Sequence, residues 1–123
     1  LMAWEENSCI CLNMQLIAIL SRIGVLIMQY RKWHSQEYNW KEVRDGIRAV
    51  GILEMEIYLL GYKLVMIVDA PADFKWNDAM NRLASLPRQA EWEAFVSKFQ
   101  GCSSEARSDE KWQPMERIFK LYE

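Results

Sequence analysis

The stretch Ile52-Leu53-Glu54-Met55-Glu56-Ile57-Tyr58-Leu59-Leu60, followed by Gly61-Tyr62 and Lys63-Leu64-Val65-Met66-Ile67-Val68, decides the fold class of this chain. In the first run Leu53, Met55, Ile57 and Leu59 alternate with Glu54, Glu56, Tyr58 and Leu60. A period of two is that of a strand with one buried face and one face presenting polar groups. Gly61-Tyr62 is short enough for a tight turn, and Lys63–Val68 is a second, more apolar run. The two together predict an antiparallel β-hairpin.

Helical spacing flanks the hairpin on both sides. Before it, Trp40, Val43, Ile47 and Val50 recur three or four apart within Asn39–Val50, and Gly51 stands where a helix C-terminal glycine would. After it, Asp69-Ala70-Pro71-Ala72-Asp73 breaks the pattern, with Asp73 the expected N-cap of a helix over Phe74–Leu86. Pro87 interrupts, and Arg88–Gln100 resumes through Trp92, Phe95, Val96 and Phe99 to Gly101. Cys102–Glu110 is polar and reads as a loop. In Lys111–Tyr122, Met115, Arg117, Phe119 and Leu121 alternate with Glu116, Ile118 and Lys120, which predicts a final strand.

The run Cys9–Met28 is almost continuously apolar, broken by Asn13, Gln15, Ser21 and Arg22. It has the length to cross a bilayer, but Arg22 lies well inside it, where an unpaired charge is costly. Glu5 and Glu6 stand where a signal peptide would carry positive charge. The expectation is a buried strand leading into the next element, with a membrane anchor as the minority alternative. The whole order is then βαββαβ, the ferredoxin-like α+β pattern: an antiparallel sheet with helices on one face. Such a sheet leaves its other face partly apolar, so a homodimer burying that face is expected, with a pocket between sheet and helices.

Composition narrows the function classes. The chain has 123 residues, one domain by size, and 51% are apolar against 26% charged, as in a soluble globular protein. The formal charge of −2 and the lack of any basic run longer than Arg31-Lys32 argue against nucleic-acid binding. Cys9, Cys11 and Cys102 form an odd set without framework spacing, which favours a reducing, cytoplasmic setting over a disulfide scaffold. Cys-x-Cys with one distant histidine is too few ligands for a metal site. Six tryptophans and five tyrosines supply flat faces suited to the apolar side of a sugar or base.

His34 is the single histidine, in Tyr30-Arg31-Lys32-Trp33-His34-Ser35. Only histidine has an unperturbed pKa suited to giving and taking protons near neutrality, so without a metal it is the first candidate acid–base group. If the stretch is helical, Tyr30 and His34 share a face. By spacing, Trp92 packs in the core with Phe95 and Phe99, and Trp40 either lines a pocket or packs beneath its helix. Glu54, Glu56 and Glu91 are candidate second groups or solvated charges.

From Tyr30 to Leu121, roughly three quarters of the chain, the sequence resembles the L-rhamnose mutarotases and the related L-fucose mutarotase-like proteins. The elements are Tyr30-x-x-x-His34-Ser35, Trp40-x-Glu42 and Gly46-Ile47-Arg48-x-Val50-Gly51-Ile52. Met55-Glu56-Ile57-Tyr58-Leu59-Leu60-Gly61, Leu83-Ala84-Ser85-Leu86-Pro87-Arg88-Gln89-Ala90-Glu91-Trp92 and Met115-Glu116-Arg117-Ile118-Phe119 complete them. The resemblance implies a ferredoxin-like domain that dimerises into an α/β barrel, a cofactor-independent isomerase and a monosaccharide substrate. It places acid–base chemistry on His34 and sugar contacts on Tyr30 and Trp92; Glu91 and Trp40 are further candidates from the residues themselves. Some members carry two successive tryptophans where this chain has Glu91-Trp92, and a tyrosine of the middle strand is Met55 here. The segment 1–29 departs most, being apolar where the family has a short strand and an Asp-rich turn. Two other classes share these features: a small dimeric ferredoxin-like monooxygenase or decyclase, and a non-catalytic ligand-binding module.

Overall fold

The computed structural model describes residues 11–103 and 105–122. The hairpin forms as its periodicity predicts, with β2 at Glu54–Leu60 and β3 at Lys63–Pro71. They pair antiparallel from Leu60 opposite Lys63 to Glu54 opposite Asp69. The turn holds Gly61 at φ 63°, a left-handed conformation that glycine adopts without the Cβ penalty.

The apolar run ahead of Tyr30 resolves into strand, break and helix. Its strand, β1, spans Cys11–Ile19 and lies antiparallel to β3, from Cys11 opposite Pro71 to Ile19 opposite Lys63. Leu16, Ala18 and the following Leu20 are buried on the side that carries the helices, together with Leu64, Met66, Val68 and Ala70 of β3. Gln15, Ile17, Val65 and Ile67 on the other side are only half-buried. An inner strand of the sheet is thus apolar on one face and mixed on the other, which makes it look continuous in sequence. Helix α1 then covers Gly24–Trp33. The expected strand start at Cys9 lies outside the described residues.

Helix α2 runs Lys41–Ala49, α3 Trp76–Leu83 and α4 Gln89–Gln100. Gly51 and Gly101 follow α2 and α4 at φ 103° and 66°, as helix-terminating glycines do. With β4 at Gln113–Pro114 the sheet order is β2-β3-β1-β4, the ferredoxin-like α+β arrangement. The core joins Leu16, Val68 and Leu64 of the sheet to Tyr30, Val43, Leu83, Trp92, Val96 and Phe99 of the helices. Each such side chain, fully buried, contributes about 1.5–3 kcal/mol.

Three expectations are corrected. The helix after the hairpin starts at Trp76 with Lys75 as N-cap, so Asp73 does not cap it; Phe74 bonds back to the Pro71 carbonyl in a turn and holds residues 71–74 out of the helix. The polar stretch before the end is not all loop: Ser108–Lys111 forms a one-turn helix, α5, before which the Arg107 N–H donates to Glu110 Oε1 and the Glu110 N–H donates to the Arg107 backbone carbonyl. The final strand is two residues long instead of spanning Lys111–Tyr122. Lys111 and Trp112 turn into the interior, and pairing begins only at Gln113. Pro114 carries no amide proton, and after Met115 donates to the Gln15 carbonyl the chain leaves the sheet. The alternation of residues 115–121 is real, but Ile118, Phe119 and Leu121 stay 70–90% exposed.

Candidate active site

Between the helices and the inner face of the sheet lies a cavity of about 320 Å³. Its aromatic wall is built from α1, α2 and α4. Tyr30 occupies the last turn of α1, and His34 is the residue that ends it, its backbone amide bonded to the Arg31 carbonyl. The four-residue spacing stacks the two rings at 3.9 Å between centroids, 25° apart. Trp92 of α4 meets His34 edge-on at 5.1 Å, and Trp40, just before α2, meets Trp92 at the same distance. Arg88 caps this wall, its guanidinium 4.0 Å above the Trp40 ring. Trp92 is therefore both core and cavity wall, and Trp40 lines the cavity too.

The hydrogen bonding of His34 fixes its chemistry. Nδ1 lies 2.7 Å from the Tyr30 carbonyl. A carbonyl only accepts, so Nδ1 carries a proton and donates it, leaving the Nε2 lone pair as the basic site in the neutral ring. Burial pushes the imidazole pKa below its ordinary 6.5, with the Tyr30 carbonyl opposing this in part. The resting ring is thus neutral and able to accept a proton near pH 7. Burial, and secondarily the charge of Glu93, push the Tyr30 phenol well above its usual range, so it stays a hydroxyl.

The opposite wall is polar. Glu93 Oε1 accepts from Gln89 Nε2 at 2.8 Å and from Ser108 Oγ at 2.6 Å. Its Oε2 accepts from Lys111 Nζ at 3.0 Å, and the same ammonium donates to the Glu93 backbone carbonyl at 2.7 Å. The Lys111 and Glu93 side chains are 1% and 12% exposed. Gln89 Oε1, Gln100 Nε2 and Asn39 Oδ1, all on cavity-lining residues, are buried and bond to nothing within the described protein.

Of the five residues expected from sequence, the structure brings four together: His34, Tyr30, Trp92 and Trp40. Glu91 stands outside, its side chain 67% exposed and paired with Arg88 at 3.6 Å. Glu54 and Glu56 are on the solvent side of β2, whereas Met55 faces the cavity. Sequence reasoning missed the polar wall. Part of its signal was available: Gln89, Glu93, Val96 and Gln100 share the helical stripe of Trp92, and polar residues on a buried stripe mark a site. Lys111 gave none, because it closes a polar run and its burial follows no local period.

The model of the L-rhamnose mutarotase family matches residues 10–121. The chain is 37% identical over 100 residues to an L-fucose mutarotase from Xanthomonas campestris pv. campestris, covering 81% of this chain and 80% of that one. It is 36% identical over 100 residues to a UPF0734 protein of Dictyostelium discoideum, covering 78% of each. In fold it is similar to the crystal structure of an L-rhamnose mutarotase from Formosa agariphila, with a TM-score of 0.66 and 16% identity over 89% of this chain and 98% of that one.

Proposed function

The chain belongs to the L-rhamnose mutarotase family, and from that premise we propose that it interconverts the α and β anomers of a 6-deoxyhexose of the L-rhamnose or L-fucose type. The observation that carries the mechanism is the neutral His34 ring, held by its Nδ1–H on the Tyr30 carbonyl, stacked on the Tyr30 ring and set edge-on to Trp92 at the cavity wall. Ring opening takes one proton from the anomeric hydroxyl, breaks the bond from the anomeric carbon to the ring oxygen, and places one proton on that oxygen. Both oxygens sit on the same carbon, so His34 Nε2 can take the proton from the first and return it to the second. Rotation about the C1–C2 bond and the same transfers in reverse close the ring on the other face. A positioned group of this kind supplies about 10²–10⁴-fold, which suits a reaction already proceeding slowly in water.

Tyr30, kept protonated, donates to a sugar oxygen, while Trp92 offers its face to the C–H side of the pyranose and Trp40, covered by Arg88 and Phe95, lines the cavity beside it. Glu91 has no such place in this scheme. The polar wall favours a polyol over the flat apolar substrates of the monooxygenase alternative. His34→Ala tests the assignment: anomer exchange should fall about 10²-fold or more with the fold retained, and an unchanged rate would remove His34 from the mechanism.

Assembly and compartment belong to the same proposal. Ile19, Tyr58 and Leu60 lie more than half exposed on the open side of the sheet, beside Ile17, Val65 and Ile67. A second copy covering that face makes the protein a homodimer, and a monomer by sedimentation at micromolar concentration would refute it. Among the described residues no helix is long and apolar enough to cross a membrane, and the odd cysteine count supports the cytoplasm.

A further inference from the structure

We infer that Lys111 is a sugar-binding residue and that its pair with Glu93 sets which 6-deoxyhexose the cavity prefers; this rests on the sugar reading above. An ammonium has three N–H donors. Two of those of Lys111 are committed, one to the Glu93 carboxylate and one to the Glu93 backbone carbonyl. The third has no acceptor among the described residues, although the side chain is 1% exposed and the residue lines the cavity. Glu93 is the opposite case. Its carboxylate already accepts from Lys111, Gln89 and Ser108, so it acts as the anchor that holds the ammonium in place.

The geometry divides the sugar between the two walls. The anomeric carbon and ring oxygen belong to His34. The C6 methyl suits the apolar lining of Met55, Ile57 and Met66. The hydroxyls on the remaining ring carbons are left for the polar wall, and a hydroxyl oxygen accepts the free Lys111 donor. L-rhamnose and L-fucose differ in configuration at C2 and C4. A donor held in one position therefore reaches the C2 or C4 hydroxyl of one sugar and not that of the other. A buried N–H of a charged group, with no other acceptor in reach, discriminates strongly, because the wrong substrate leaves that N–H unsatisfied.

The test combines Lys111→Met, which keeps stem length and packing while removing the donor, with 2-deoxy and 4-deoxy analogues on the unaltered protein. Anomer exchange is followed by saturation-transfer NMR, and binding by tryptophan fluorescence. Lys111→Met should raise KM for the preferred sugar about 10-fold or more, change kcat little, and flatten the preference between L-rhamnose and L-fucose. One deoxy analogue should show the same loss on the unaltered protein, and no further loss on Lys111→Met. Unchanged KM and preference in folded Lys111→Met overturn the inference while leaving the mutarotase reading intact. If the variant does not fold, analogues that bind the unaltered protein as well as the parent sugars overturn it. Unaltered protein that neither binds nor exchanges any 6-deoxyhexose overturns both.

Discussion

Removing the Glu93 side chain should destabilise the protein far more than loss of an exposed ion pair would. Glu93 and Lys111 are 12% and 1% exposed at 3.0 Å, whereas Lys41 and Asp45 make a pair at 3.1 Å with 78% and 49% exposure. An exposed pair contributes about 0–1 kcal/mol. Breaking a buried pair costs about 3–5 kcal/mol, because the remaining charge is left uncompensated. In Glu93→Ala, Lys111 keeps only a backbone carbonyl, and Gln89 and Ser108 lose the acceptor they share. The loss is then about 3–5 kcal/mol, a large share of the ~5–15 kcal/mol that holds a domain together. Adding Lys111→Met to Glu93→Ala removes the stranded charge and should recover part of the loss, giving a coupling of about 2 kcal/mol or more. Urea unfolding of the single and double variants, followed by circular dichroism and fluorescence, measures this. A single-variant loss below about 1 kcal/mol, with additive double-variant behaviour, would refute the buried-pair argument.

Two further outcomes follow from the geometry. Phe99, 2% exposed and packed edge-on against Phe95 at 5.3 Å, should lose about 3–5 kcal/mol on Phe99→Ala in the same unfolding assay; a loss under about 1 kcal/mol would place it outside the core. The exchange rate should be flat at neutral pH and fall on the acid side with a midpoint below 6.5, since His34 acts as a neutral base with a lowered pKa. Stability should shift in the same sense: the unfolded chain takes up the His34 proton as pH falls past about 6.5 while the folded chain resists, so the His34 contribution weakens from there down to the folded pKa. A rate midpoint at or above 6.5 would contradict the buried, neutral ring.

The parts of the fold that were legible in sequence are those whose burial follows one clear period. The hairpin 52–68 and the helices carrying Val43, Met80 and Trp92 bury one face each, so alternation and three-to-four spacing report them directly. The segment 9–28 blurred because β1 is an inner strand with apolar residues on both faces. Residues 111–122 misled because alternation there is not matched by a partner strand beyond Pro114. At the site, Tyr30, His34, Trp40 and Trp92 were legible from the family motifs, with the four-residue spacing explaining the ring stack. Lys111 was not, since its burial depends on Glu93, eighteen positions away in sequence. Long-range pairing of this kind leaves no local pattern.

The most direct test of the account is saturation transfer between the anomers of L-rhamnose and L-fucose with the unaltered protein at neutral pH. Anomer exchange of at least one sugar should rise above the buffer rate in proportion to protein concentration, and the rise should vanish with His34→Ala. Exchange indistinguishable from buffer for both sugars, with folded protein at micromolar concentration, would contradict it.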